Sequence, residues 1–269
     1  MDNPEPMNEE DIRPPMDAAE APGEAQPPAP EREPFWGYAD LMLFAGFAAA
    51  SLLVSLLLAK AAMAAFHLHA EGPVSVAVLV LAQMAGYGVL FGALGLMFRV
   101  QYDRPFWRSL GWAPLTIPAL YLVTAGACTA ISVILLGGLI HLPETANPMT
   151  ELLQQGNLAI LLLAIFGVGI APLCEELAFR GFLQPLLVRS FGAVAGILAA
   201  GVAFGLLHFW EYGNSWRHAL LLSGAGACFG WMRHVSKSTK ASVIMHASYN
   251  GLLFLLLALA LAAERNQHH

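Results

Sequence analysis

The sequence predicts an all-α polytopic membrane protein with about seven transmembrane helices. Two observations carry that prediction. Of the 269 residues 57% are hydrophobic and only 12% are charged, about half the charge density of an ordinary soluble domain. The mean hydropathy is +0.60. Beyond residue 34 the chain is a succession of apolar runs near the roughly 20 residues that cross a bilayer core. They lie at Leu41–Phe66, Val74–Phe98, Thr116–Ile140, Leu158–Leu173, Ala193–His208, Ala219–Met232 and Ala241–Ala262. The fifth and sixth are short for full spans, and the fourth runs on through a more polar helix, Glu175–Arg189.

The segment before the first run differs in kind. Residues 1–34 hold ten acidic residues, two arginines and nine of the 17 prolines, whereas the other 235 residues carry 11 basic and nine acidic groups. Such a segment cannot bury enough apolar surface to offset the entropy of ordering, so it reads as a disordered acidic tail. It has no positive start or apolar stretch of a signal peptide. The expected organisation is therefore the tail (1–34), N-terminal transmembrane helices (35–140), a C-terminal catalytic membrane core (141–263) and a short final tail (264–269). Cys128, Cys174 and Cys228 are too scattered for a disulfide framework or a metal pair. No basic stretch is large enough to track nucleic acid.

Orientation follows from the basic residues, which stay on the cytoplasmic side. Arg99, Arg104 and Arg108 follow the second run, Arg180 and Arg189 the fourth, and Arg233, Lys237 and Lys240 the sixth. The alternate loops offer only Arg217. Seven spans with a cytoplasmic N-terminus and an outside C-terminus satisfy this pattern. Lys60 is the one charge well inside a span, placed where its side chain can snorkel to the outer surface. Small residues such as Gly86, Gly88, Gly92, Gly95, Gly224, Gly226 and Gly230 are accounted for by close helix packing in lipid.

Ionisable residues at membrane depth are costly, about 2.5 to 3.5 kcal/mol each on insertion scales, so their placement locates function. The densest cluster is Glu175-Glu176-Leu177-Ala178-Phe179-Arg180, read as the cytoplasmic end of an apolar helix. Glu176 and Arg180 have the i, i+4 spacing of a salt bridge on one face. Glu175 is left with different neighbours and suits a general base that takes a proton from water. His208 ends the fifth run in Phe204-Gly205-Leu206-Leu207-His208. In the seventh, His246 and Asn250 share a helix face, where both can donate to one oxygen. A lone histidine or Glu/Arg pair is ordinarily structural; three such elements within 76 residues point to a shared site.

Counting residues removes several mechanisms. An aspartyl protease needs two aspartates within spans, and outside the tail only Asp40 and Asp103 exist. The HExxH string of zinc proteases is absent. Ser223 with His246 lacks the full glycine setting of a rhomboid-type nucleophile. Cys174, paired with His208, lies in apolar surroundings where thiols are inert.

Taken in order, Glu175-Glu176-x-x-x-Arg180, Phe204-x-x-x-His208 and His246-x-x-x-Asn250 resemble the CPBP family of intramembrane proteases, which includes the Rce1-type CAAX prenyl endopeptidases and bacterial Abi proteins. The resemblance covers residues 150 to 262. It implies a conical polar cavity between the C-terminal helices. It further implies that Glu175 and His208 activate the attacking water, that His246 and Asn250 hold the oxyanion, and that Glu176, Arg180 and Phe204 support them. Ser109–Trp112 also resembles a family feature. A glutamate-dependent mechanism without a required cofactor is favoured, with a divalent metal as the alternative.

The expected activity is hydrolysis of a peptide bond in a membrane-associated protein or peptide at or near the cytoplasmic membrane face, lipidated substrates included. The expected location is the bacterial inner membrane, the bilayer is the one other partner, and nucleic acid is not. The competing reading is a non-proteolytic bacteriocin-immunity or scaffold protein in which the same residues tie helices together. A proton or ion pathway lacks a long enough chain of acids.

Overall fold

The computed structural model describes residues 33–68, 72–143 and 152–267. The acidic tail lies outside them except for Glu33 and Pro34, as does much of the loop before residue 152. All regular structure among the described residues is helical. The helices are α1 (Tyr38–Ala65), α2 (Pro73–Tyr102), the single-turn α3 (Phe106–Ser109), α4 (Ala119–Leu139), α5 (Asn157–Phe191), α6 (Ala193–Leu207), α7 (Trp216–Ser236) and α8 (Thr239–Gln267).

Five of these, α1, α2, α4, α5 and α8, are long and apolar enough to cross a membrane. The protein is thus an integral membrane protein. Of the seven expected spans, the fifth falls on α6, whose 15 residues make a rod of about 22 Å against a core of about 30 Å. The sixth falls on α7, which carries Arg217, His218, Arg233 and His234 near its ends. The fourth run and the polar helix after it are one 35-residue element, α5.

The burial pattern is that of a bilayer protein, with small or polar residues inward and large apolar ones outward. On α1 the buried positions are Asp40, Ser51, Ser55 and Ala59, while Leu52, Leu53, Leu56 and Leu57 are exposed. Close approach is the physical reason: a Cβ at Gly86 of α2 would lie 2.0 Å from Ser55 Oγ. Gly226 and Gly230 are likewise pressed by neighbours, whereas Gly88, Gly92 and Gly224 face open space, so only part of the small-residue pattern reflects packing. Lys60 is exposed on α1, five residues before its end.

Three clusters hold the bundle. Trp36, Leu94, Phe98, Leu110, Leu177 and Phe182 bind the entry segment and α2 to α5, with Trp36 Nε1 donating to the Phe182 carbonyl at 3.1 Å. Val76, Val80, Leu153, Ala159 and Leu163 join α2 to α5, with Phe254 of α8 against them. Ala130, Ala225, Phe229, Met245 and Tyr249 join α4, α7 and α8. Chain order then gathers Arg99, Arg104, Arg108, Arg189, Arg233, Lys237 and Lys240 at one end of the bundle, opposite the turn 208–215.

Candidate active site

α5 is not a uniform α-helix. It passes through π-helical turns at Ile165–Ile170 and Leu177–Leu183, on either side of the α-helical Ala171–Glu176. Each wide turn lies just before a proline, Pro172 or Pro185. A proline inside a helix has no N–H, and its ring clashes with the carbonyl four residues back; widening the preceding turn relieves that clash and adds a residue. Here the N–H of Ala171 reaches back to the Phe166 carbonyl. Gly167 is thereby passed over, and its five-back donor would be Pro172, which has none. Asn250 Nδ2 of α8 supplies the missing hydrogen bond to the Gly167 carbonyl at 2.8 Å.

In and beside the second wide turn, Glu176, Arg180 and Gln184 meet α7 and α8. Arg180 Nη1 donates to Glu176 Oε1 at 2.8 Å, and Arg180 Nη2 donates to the Gly226 carbonyl at 2.7 Å. One helical step on, Gln184 Nε2 donates to the Gly230 carbonyl at 2.9 Å. The four-residue spacing on α5 is matched by the four-residue spacing of the two glycines on α7. A side chain at Gly226 or Gly230 would sit within 3.1 Å of Arg180 Nη2 or 2.6 Å of Gln184 Oε1.

Glu176 and Arg180 are both fully buried. The guanidinium carbon lies 4.7 Å from the Phe204 ring centroid, with Phe229 and Phe179 at 5.5 and 5.7 Å. Aromatic faces stabilise a desolvated cation, so the ion pair is boxed in.

His246 is held by the same pair. Its Nδ1 lies 2.9 Å from Glu176 Oε1, and a carboxylate paired with arginine can only accept, so Nδ1 carries the proton. Phe229 stacks on the imidazole at 4.4 Å. Nε2 then faces Glu175 Oε2 at 3.8 Å, too long for a direct hydrogen bond and suited to a shared water. His208 is fixed the same way, its Nδ1 2.9 Å from the Phe204 carbonyl. A carbonyl only accepts, so the His208 Nε2 lone pair is free. His208 and His246 lie near enough for their charges to interact.

The two adjacent glutamates differ in state. Glu176 is locked, while the Glu175 side chain is 19% exposed and makes no hydrogen bond among the described residues. Its field reaches Tyr87 of α2 and Tyr212 and Glu211 of the turn after α6. The Tyr212 phenol is pushed up to about 12 by loss of hydration and then by the charges of Glu211 and Glu175, so it stays a neutral donor. The doublet, read as the cytoplasmic end of an apolar helix that runs on through a polar one, lies inside a single element: α5 continues for 16 residues beyond Glu175. The site is therefore interior, and the turn 208–215 borders it on the side away from the basic loops.

Glu175, Glu176, Arg180, Phe204, His208 and His246 are thus in one neighbourhood, and Asn250 is one helical turn from His246. The hydrogen bonds made by His246 and Asn250 go to Glu176 and Gly167 rather than to one common position. Among the described residues no group of three or more His, Cys, Asp or Glu side chains is placed to hold a metal ion. Glu176 Oε1 is already taken by two donors. Sequence reasoning missed Gln184, Phe229, Tyr87, Glu211 and Tyr212. For Gln184 the signal was present: it continues the i, i+4 series from Glu176 and Arg180, facing the G-x-x-x-G of 226–230.

Residues 155–252 match the family described as Rce1-like, type II CAAX prenyl endopeptidase Rce1-like. This part of the chain is similar to the Rce1-like family. The matched segment holds every site residue from Glu175 to Asn250, and the helices α1 to α4 lie outside it. The similarity points to a membrane-embedded protease acting on a protein or peptide. No curated protein and no solved structure matches the chain.

Proposed function

We propose that the chain is an intramembrane endopeptidase that hydrolyses a peptide bond of a membrane-associated protein or peptide, with lipidated substrates included, using a water activated by Glu175 and His208. The contrast between the two glutamates carries this reading. Glu176 spends Oε1 on Arg180 and His246, and its Oε2 is shut away from solvent. Glu175, one residue away, is partly exposed and free to touch water. A structural tie would have been expected to use both.

In this mechanism Glu175 takes a proton from water while His208 Nε2 accepts a second hydrogen bond from it, and the water oxygen attacks the carbonyl carbon. The resulting oxyanion is held by the unused N–H of Asn250 Nδ2 and by His246 Nε2 when the imidazole is protonated. Collapse breaks the C–N bond, and the leaving amine takes the proton from Glu175. Glu176 and Arg180 act as positioning residues through His246. No metal is required. A polar cavity among the C-terminal helices, opening beside Tyr212 and Glu211, admits the substrate.

The proposal includes a bacterial inner-membrane location with the basic loops and the N-terminus cytoplasmic and the C-terminus outside, supported by the segregation of lysine and arginine. Purified protein in detergent, given quenched peptides with and without a lipid anchor, is expected to cleave. Glu175→Ala and His208→Ala remove that cleavage, each by a factor of about 10² to 10⁴ as for loss of a general base. Equal turnover by wild type and both variants overturns the proposal.

A further inference from the structure

At the basic end of the bundle, away from Glu175, a recess of about 330 Å³ opens between the ends of α5 and α7. Its rim carries Arg189, Arg233, His234 and Lys237, against the single carboxylate of Glu33. Its floor is made by Arg180 and Gln184. Both floor side chains are at most 3% exposed, and among the described residues Arg180 Nε is a buried donor without a hydrogen-bond partner, while Gln184 Oε1 is a buried acceptor without one. The rim so lined holds more positive than negative groups among the described residues, and the floor adds one unanswered N–H. Arg189 donates to the Pro34 carbonyl and Arg233 Nε to Thr239 Oγ1 at 2.9 Å, both neutral acceptors. His234 is held below the ordinary histidine range by loss of hydration and then by Lys237 and Arg233, as expected in a positive field.

We propose that this recess binds the phosphate group of an anionic phospholipid from the adjoining leaflet. A phosphate offers several acceptor oxygens at once and meets arginine in a bidentate fork. The volume, about eleven times the ~30 Å³ share of one liquid water, admits a phosphodiester with its glycerol. The seven basic residues gathered at this end are also where an anionic leaflet is drawn. Free phosphate shares this chemistry; the lipid is favoured because the recess opens at the end of α5, a helix long and apolar enough to cross a membrane.

The test is native mass spectrometry of the full chain in detergent with equal amounts of phosphatidylglycerol or phosphatidylcholine. The expected result is retention of phosphatidylglycerol over phosphatidylcholine, reduced roughly fivefold by Arg189→Gln and by Lys237→Gln, about the effect of one cationic contact at a lipid surface. Lys240→Gln, on the same end of the bundle but outside the recess, should retain lipid as the wild type does. Melting temperatures measured in phosphatidylcholine verify that the variants are folded. Equal retention of both lipids, or an equal loss in Lys240→Gln, overturns the proposal. So does glycerol 3-phosphate binding alone with the same dependence on Arg189 and Lys237, which would make the recess a soluble-phosphate site.

Discussion

Replacing Arg180 with methionine removes one member of a fully buried pair and leaves Glu176 with His246 alone. Arg180 makes two charge-assisted hydrogen bonds, at 2.8 Å to Glu176 and 2.7 Å to the Gly226 carbonyl, and no part of it is exposed. Water cannot replace either contact. Breaking a buried pair by deleting one partner costs about 3 to 5 kcal/mol, because the other charge is left uncompensated. For a chain of this size that corresponds to a fall of roughly 6 to 20 °C in melting temperature. Replacing both partners, as Glu176→Leu with Arg180→Met, removes the stranded charge and should return stability to within about 1 to 2 kcal/mol of wild type. Cleavage should not return, because His246 Nδ1 has lost the acceptor that fixes the ring. Melting followed by tryptophan fluorescence in detergent, with peptide cleavage on the same samples, separates these effects. A single variant that melts within 1 °C of wild type, to order of magnitude no cost at all, refutes the reasoning. A double variant no more stable than the single one does so too.

Further outcomes follow from individual contacts. Asn250→Leu strands the Gly167 carbonyl and should cost about 1 to 3 kcal/mol; with Pro172→Ala, which restores a backbone donor, the loss should shrink, and purely additive melting shifts would contradict this account of the π turn. Gly205→Ala drives a methyl to 2.2 Å from the Ala219 carbonyl, so α6 and α7 must separate at a cost of about 1 to 3 kcal/mol, whereas Gly92→Ala, which meets nothing, should be neutral or stabilising by up to about 1 kcal/mol; thermal denaturation ranks the two. Glu211→Cys should react with a membrane-impermeant maleimide on intact cells and Lys237→Cys only after lysis; the reverse pattern inverts the proposed orientation. Chelation with EDTA should leave peptide cleavage unchanged, and loss restored by a divalent ion would contradict the metal-free mechanism.

The polar strings were legible because charge is so scarce: with nine acids beyond the tail, an adjacent pair followed by arginine at the next helical turn stands out. Their division of labour was only half legible. Spacing gave the Glu176–Arg180 pair, but not that His246 joins it, since that contact crosses 70 residues and depends on how α8 sits against α5. Asn250 was read from its shared face with His246, while its recorded partner, Gly167, is created by a π turn that hydropathy does not register. Of the seven expected spans, those on α6 and α7 are the two not among the five long, apolar helices, and their packing bears on this. Helices packed against each other through Gly201, Gly205 and Ala227 need neither the full length nor the apolarity of lipid-facing ones.

The central claim is that Glu175 is a base acting on water rather than a tie between helices. Its most direct test compares membrane-protein termini in cells carrying the wild type or Glu175→Ala, at equal abundance of the two chains. New termini present with the wild type and absent with the variant are the predicted result, and they name the substrate. Identical termini in the two would contradict it.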